Sequence, residues 1–327
     1  MIKFIIDMMG GDLGPLPLAK AIDTFLVEHE DVEVYAVGKE EEIKNNVKNS
    51  RCHILDARDV IAMDENPMAA IKSKESSMIK AFALYKELSA DAIISTGGTG
   101  AYLTAATLLL GRLPGIMRPA LVAPFPTKIK GKKVVILDVG ASNKNTSDEL
   151  VQFAKMGLLY SKYVFSVETP SVYMLSNGTE DHKGSPTSQE AVVKLRELNF
   201  PGFKGNIEAR EALHGYADVV VTDGFTGNIF LKSTEGSFKL VSALLKEGFK
   251  KNICTMTGYL LSRSVTKNIS DTFDYKSTGG AMLLGVKGNV IKAHGNSDEK
   301  GMAGALKVAY SLALNDIAHK IEMEINK

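Results

Sequence analysis

The chain has 327 residues, of which 45% are hydrophobic and 24% charged, the composition of a globular protein rather than of a disordered or collagen-like chain. Its 39 basic and 38 acidic side chains leave a formal net charge of +1, without the basic excess that is typical of nucleic-acid-binding proteins. Cys52 and Cys254 are far apart and the six histidines are scattered, so we expect neither a disulfide framework nor a metal site.

The first residues, MIKFIIDMMGGD, begin with a strand-like run and lack the basic start, apolar core and cleavage site of a signal peptide. The most apolar segment, residues 101–111, is shorter than the about 20 residues that cross a bilayer. We therefore expect a cytoplasmic protein whose only membrane contact would be at the surface.

Short β-branched runs alternate with longer helical patterns along the chain. Strands are predicted at residues 2–6, 32–37, 92–94, 120–123, 134–137, 172–175 and 219–221. Helices are predicted at residues 16–28, 76–88, 101–110, 147–160, 188–198 and 229–249. This alternation predicts a single α/β domain over residues 1–327, built on a mostly parallel sheet sandwiched by helices. Ligands of such sheets bind beyond the carboxyl ends of the strands.

The last third of the chain has three further features. Residues 250–274 mix polar and apolar side chains without a strong turn and are interpreted as a helical excursion. Residues 282–295 predict a β-hairpin that turns at 287–289, and residues 298–325 predict one long closing helix.

Glycine-rich turns with small polar side chains follow several predicted strands, where glycine lets the backbone approach a ligand. The candidate substrate-binding residues in these turns are Asp7, Gly10, Gly11, Asp12, Thr96, Gly97, Gly98, Thr99, Gly100, Asp138, Asn177, Glu180, Asp223 and Gly227.

The turn at residues 96–101 offers glycine N–H groups, the Thr99 hydroxyl and a following helix start, a combination that suits phosphate. The alternative is a plain strand-to-helix turn capped by threonine. The turn lacks the Gly-Lys-Ser/Thr of a nucleotide P-loop, and Leu103 stands at the third glycine of the dinucleotide fingerprint.

Two further polar residues are candidates for catalysis. Lys183 lies in a glycine-flanked loop from which an ammonium group can reach a phosphate. Asn228, in DGFTGN, can direct its amide at a developing oxyanion, or alternatively cap the helix predicted from residue 229. The chain has no Gly-x-Ser-x-Gly nucleophile elbow, and its His214–Asp218 spacing is one residue short of the His-x4-Asp acyltransferase signature.

These turns, in this order, resemble the bacterial phosphate acyltransferase (PlsX) family, and the resemblance covers nearly the whole chain. Its clearest motifs are NGTEDHKG and ADVVVTDGFTGNIFLKSTEG. The matching stretches are residues 5–12, 74–81, 98–106, 111–121, 137–141, 150–157, 177–184, 205–210, 217–236 and 279–295. The stretch GNIEAR adds Asn206 to the candidate substrate-binding residues. Leu13, Gly98 and residues 142–145 depart from the family pattern.

The resemblance implies transfer of an acyl chain from acyl-acyl carrier protein to inorganic phosphate, giving acyl phosphate for phospholipid synthesis. It also implies a homodimer and a fold similar to phosphotransacetylases and isocitrate or isopropylmalate dehydrogenases. Because a thioester and an acyl phosphate are both activated acyl groups, we expect no cofactor. We expect the N–H groups of residues 97–100, with Thr99 and Lys183, to hold phosphate, and Asn228 to stabilise the oxyanion.

Three questions stay open at the level of sequence. Apolar side chains beside cations in residues 250–274 suit an anionic membrane surface, an acidic carrier protein or the dimer partner. The acyl donor could be a coenzyme A thioester instead. A nicotinamide-dependent dehydrogenase and a non-catalytic scaffold of the same fold are the competing functions.

Overall fold

The computed structural model describes residues 1–272 and 279–325, with 268–272 described by their helical backbone alone. The strands are β1 Ile2–Asp7, β2 Val32–Gly38, β3 Cys52–Asp56, β4 Ala92–Ser95, β5 Ala120–Pro126, β6 Lys133–Leu137, β7 Val172–Ser176, β8 Phe203–Glu208, β9 Val219–Val221, β10 Ala281–Leu284 and β11 Asn289–Lys292. The helices are α1 Leu16–Glu28, α2 Glu40–Lys44, α3 Pro67–Ala70, α4 Ser77–Glu87, α5 Thr99–Ala105, α6 Ser147–Val164, α7 Pro186–Glu197, α8 Gly224–Phe249, α9 Ile253–Leu261, α10 Arg263–Thr272, α11 Glu299–Asn315 and α12 Ile317–Ile325. A π-helical turn, Ala106–Leu110, extends α5.

These strands form one 11-stranded sheet in the order β3-β2-β1-β4-β11-β10-β5-β6-β9-β7-β8. The first five strands of that order are parallel to one another, and so are the last four. Between them, β10 and β5 pair antiparallel with each other and with their outer neighbours β11 and β6. The two parallel blocks therefore run in opposite directions, and their carboxyl ends lie at opposite edges of the sheet.

The central strands are apolar on both sides because helices cover both faces of the sheet. On one face, Phe4, Ile94, Val122 and Val219 pack against α1, α6 and α11. The other face has its own cluster of buried residues, which includes Ile5 and Ile93, and α4 and α5 cover part of it.

The predicted fold class is confirmed, and so are all seven predicted strands and the hairpin at β10–β11. Sequence reasoning missed β3 and β8, which are the two edge strands of the sheet. Edge strands are half exposed, so CHILD and FKGNIE lack a continuous apolar run. The predicted single closing helix is wrong, because Asp316 adopts a left-handed conformation at φ 48° and divides it into α11 and α12.

The predicted helical excursion at residues 250–274 consists of α9 and α10, while 273–274 lie outside the described residues. The helix before it, α8, is 26 residues long and leaves its second half exposed. Among the described helices, none combines the length and the hydropathy needed to cross a bilayer.

Candidate functional site

Asp7, at the carboxyl end of β1, is fully buried and fixes the end of the neighbouring strand. Its carboxylate accepts hydrogen bonds from Ser77 Oγ and Ser95 Oγ, both at 2.7 Å, and from the Met9 N–H at 3.2 Å. Burial raises the pKa of Asp7, and these hydrogen bonds oppose that rise. The Asp7 carboxylate therefore holds the Ser77 and Ser95 hydroxyl groups in place.

The loops after β1, β4 and β11 are in close backbone contact. A Cβ on Gly10 would lie 3.0 Å from Gly97 Cα, and one on Gly11 would lie 2.7 Å from Thr96 Oγ1. The Asp12 N–H donates to the Gly295 carbonyl oxygen at 2.7 Å. Two of the predicted glycines thus have a packing reason for the absence of a side chain.

Thr96 and Thr99 lie in different surroundings although they share one turn. Thr96 is buried, and its hydroxyl has no hydrogen-bond partner in the described part of the chain. Gly98 is the N-cap of α5 and no side chain caps the helix, which excludes the plain threonine-cap alternative. Thr99 and Gly100 instead line a cavity.

Asp138 organises the turn at the end of β6. Its buried carboxylate accepts hydrogen bonds from the N–H groups of Leu121, Gly140, Ala141 and Ser142 at 2.8–3.0 Å. The Ser142 hydroxyl adds a further hydrogen bond at 2.8 Å. Asp138 is therefore a structural node of the site wall.

The first turn of α8 packs directly onto that node. Asp223 caps the helix by accepting from the Thr226 N–H at 2.9 Å, which excludes Asn228 as the N-cap. A Cβ on Gly227 would lie 1.9 Å from the Asp138 backbone oxygen, so only glycine fits there. Because helix and turn are fixed together, Asn228 lies beside Gly140 and lines the same cavity as Thr99.

This cavity has a volume of about 360 Å³ and lies under α8, across the central strands. Its apolar wall is formed by Leu121, Ala123 and Phe125 of β5 with Leu231 and Phe238 of α8. Asn228 and Gly140 line it beside Leu121 and Val139, whereas Thr99, Lys292 and His294 come from the carboxyl edge of the other block. The opposite directions of the two blocks therefore create a cavity that extends from one carboxyl edge to the other.

Sequence reasoning missed four charged or titratable residues of this cavity, namely Lys232, Glu235, Lys292 and His294. Lys232 Nζ lies 3.1 Å from Glu235 Oε2, and His294 Nε2 lies 3.8 Å from Glu235 Oε1. Burial lowers the pKa of His294, and the nearby Glu235 carboxylate opposes that shift. For Lys292, the sequence signal that could have revealed it is its place at the end of the apolar strand NVIK.

The remaining predicted residues belong to a second region around β7 and β8. Asn177 Oδ1 accepts from the Gly184 N–H at 2.9 Å, and Asn206 Nδ2 donates to the Glu180 carbonyl oxygen at 2.7 Å. Asn177 and Asp223 line a second cavity of about 860 Å³, on the other side of α8. Lys183 lies in this loop with its stem over Gly178, and it is in the lining of neither cavity.

No three His, Cys, Asp or Glu side chains within residues 1–272 and 279–325 cluster closely enough to hold a metal ion.

A family model described as "Fatty acid synthesis protein" matches residues 2–320. The chain belongs to this family. The resemblance seen in the sequence motifs is thereby confirmed over nearly the full length.

Two curated relatives support the same assignment. The chain is 38% identical to the phosphate acyltransferase of Aliarcobacter butzleri over 99% of its length and 98% of the relative's. It is 41% identical to the phosphate acyltransferase of Thermoanaerobacter pseudethanolicus, with 99% and 97% coverage. At the level of the family, the predicted enzyme class is confirmed, while these names do not identify the acyl donor.

Among solved structures, a phosphotransacetylase from Streptococcus pyogenes superimposes with a TM-score of 0.63 at 17% identity, covering 96% of this chain and 94% of that one. Identity this low supports the fold alone. The fold expected from the family resemblance is confirmed.

Proposed function

We propose that the chain transfers a fatty acyl group from the thioester of acyl-acyl carrier protein to inorganic phosphate, giving acyl phosphate for phospholipid synthesis. The observation that carries this proposal is the single cavity under α8, which combines an apolar wall with polar groups from both carboxyl edges. An acyl chain suits the wall of Leu121, Phe125 and Phe238. A phosphate oxyanion suits the polar lining.

The chemistry needs no covalent enzyme intermediate. A phosphate oxygen attacks the thioester carbonyl carbon, and the tetrahedral adduct collapses by breaking the C–S bond and expelling the thiolate, which then takes a proton from water. Thioester and acyl phosphate are both activated, so no nucleotide energy is consumed. Holding the two reactants in place can contribute several kcal/mol, up to roughly 7–11 kcal/mol in well-oriented cases.

In this proposal Asn228 donates its side-chain amide to the oxyanion. Its exposed side chain faces the cavity beside Gly140, and no described side chain occupies that amide with a hydrogen bond. Thr99 and Gly100 bind phosphate at the opposite block. The role of Lys183 as a phosphate-binding cation rests on its motif, NGTEDHKG, and on its position in the loop beside the second cavity.

The test is a comparison of acyl donors. Purified protein would be given palmitoyl-acyl carrier protein or palmitoyl-coenzyme A, each with and without phosphate, and acyl phosphate would be trapped with hydroxylamine. We expect acyl phosphate only from the carrier-protein donor and only with phosphate. Equal rates with coenzyme A would move the donor assignment to the coenzyme, and thioester consumption without phosphate would refute the reaction.

We further propose that the exposed half of α8 pairs with a second copy of the chain. Leu240, Val241, Leu244 and Leu245 form an exposed stripe at helical spacing. Sedimentation equilibrium should give a dimer for the native chain and a monomer for Leu244→Glu. A monomeric native protein would refute this assignment.

The proposed membrane contact lies at α9. Ile253, Leu260 and Leu261 are 83%, 67% and 84% exposed. Exposed cations flank them on both sides, namely Lys250, Lys251, Arg263 and Lys267. Apolar side chains between cations suit the surface of an anionic bilayer.

A further inference from the structure

We propose that Lys292 is the cation that binds the phosphate substrate inside the cavity under α8. This assignment rests on the proposed function and deepens it, because it places the phosphate substrate at the carboxyl end of β11. Sequence motifs had pointed to Lys183 for this charge, on the far side of α8.

The sheet register sets the position of Lys292. Lys292 lies opposite Ser95 on β4, and Ser95 lies opposite Asp7 on β1. Side chains in register on neighbouring strands point to the same face. Asp7, Ser95 and Lys292 therefore form a row on the face that carries the cavity, and Ala281 of β10 continues it.

Lys292 is 7% exposed, and no ion pair joins it to another described side chain. Its Nζ donates to the carbonyl oxygen of Ala293, and no carboxylate of the described chain lies within ion-pair distance. The nearest acids act only at longer range, and the Asp7 carboxylate is already engaged by two hydroxyl groups. A buried ammonium without a counter-ion is costly, so a cavity beside it favours an anionic ligand.

Acids and cations both surround Lys292 at that end of the cavity. Asp7 and Asp12 on the β1 side attract the ammonium, whereas Lys232 of α8 repels it. His294, Glu235 and Lys239 also lie in this electrostatic environment. Lys232 is already paired with Glu235, so among the described cations of this cavity we assign phosphate to the buried Lys292.

This environment also predicts how phosphate binding depends on pH. Burial lowers the pKa of Lys292 to about 8, and the repulsion by Lys232 acts in the same direction. The charged form that binds phosphate is therefore lost as the pH rises through about 8. Because kcat/KM reports the free enzyme, kcat/KM for phosphate should fall on that alkaline side.

The experiment compares native protein, Lys292→Gln and Lys292→Arg, with Lys287→Gln as a control from the exposed tip of the same hairpin. Acyl phosphate formation would be measured against phosphate concentration from pH 6.5 to about 10. For Lys292→Gln we expect the KM for phosphate to rise roughly 10- to 100-fold, while the KM for the acyl donor stays near its native value. For Lys292→Arg the alkaline fall should disappear, because guanidinium keeps its proton.

Circular dichroism and thermal melting would be recorded for every variant. A phosphate KM within twofold of native for Lys292→Gln, or an unchanged alkaline fall in Lys292→Arg, overturns the assignment. A purely structural role would lower kcat and Tm without moving the phosphate KM, and this result also overturns it.

Calorimetric titration with phosphate separates this inference from the proposed reaction. If the native protein makes no acyl phosphate yet binds phosphate in a Lys292-dependent way, the proposed reaction fails and the site stands. If acyl phosphate is made but binding is independent of Lys292, the site fails alone.

Discussion

The inner and outer halves of α8 belong to one continuous helix but have opposite surroundings. In the inner half, Gly224 and Gly227 are packed against backbone atoms, and Asn228 and Leu231 line a cavity. In the outer half, a Cβ on Gly248 would meet no atom within 4 Å, and Leu240 and Leu244 are exposed. The helix therefore combines a closely packed inner half with an exposed outer half, to which we assign the proposed dimer contact.

The largest expected effect is on catalysis, at the loop beside the inner half. If phosphate binds at the loop of Lys183, as the family motif predicts, Lys183→Ala should lower phosphate-dependent turnover by orders of magnitude while leaving the fold intact. If phosphate binds at Lys292 in the cavity under α8, turnover of this variant should stay near native. Acyl phosphate formation measures the loss, and the exposed Lys204→Ala is the matched control. A near-native rate and phosphate affinity would remove Lys183 from the site.

Asn228→Ala tests the inner half itself. Loss of one oxyanion donor should lower kcat roughly 10²- to 10³-fold, about 3–4 kcal/mol of transition-state stabilisation, with little change in KM. Glu247→Gln, on the outer half, should retain native kcat. Equal kcat values for Asn228→Ala and Glu247→Gln would show that Asn228 does not take part in catalysis.

Gly227→Ala and Gly236→Ala compare two glycines of the same helix. The Cβ at 227 would lie 1.9 Å from the Asp138 backbone oxygen, so we expect destabilisation by about 3 kcal/mol or more, or failure to fold. The Cβ at 236 would meet nothing within 4 Å, so helix propensity should stabilise the chain by about 0.5–1 kcal/mol. Urea unfolding measures the free energy of unfolding of both variants. The same change in stability for Gly227→Ala and Gly236→Ala would contradict this packing.

The smallest expected effect is at the outer end. Leu260→Glu should weaken binding to anionic liposomes roughly tenfold, because it places a charge in the apolar surface of α9. Co-sedimentation measures this, with the exposed Thr257→Ser as control. Turnover of a carrier-protein substrate free in solution should stay native, and unchanged liposome binding would count against the membrane contact.

Local sequence signals predicted most of the fold because apolar β-branched runs such as 134–137 and 219–221 are buried on both faces. These local signals could not predict that the parallel strands β6, β9, β7 and β8 run opposite to the other parallel block. That direction depends on the antiparallel pairing of β10 with β5 and of β5 with β6, which is a long-range property.

The same limit explains the outcome for the site. The glycine-rich turns were found because their composition is unusual, and Thr99 and Asn228 line one cavity. Lys292 was missed because a lysine after three apolar or amide residues resembles an exposed strand end. Lys292 is buried because it pairs with Ser95 in the sheet and because α8 crosses above it. Neither contact can be predicted from the local sequence.

The length of α8 has a geometric consequence. At 1.5 Å per residue, the 21 positions from Asn228 to Phe249 span about 30 Å along a helix that Gly224 and Gly227 anchor at its base. If α9 binds a membrane as proposed, the length of α8 sets the distance between that surface and Asn228. Inserting or deleting one helical turn in the outer half would change that reach by about 5.4 Å and leave the chemistry at the base untouched.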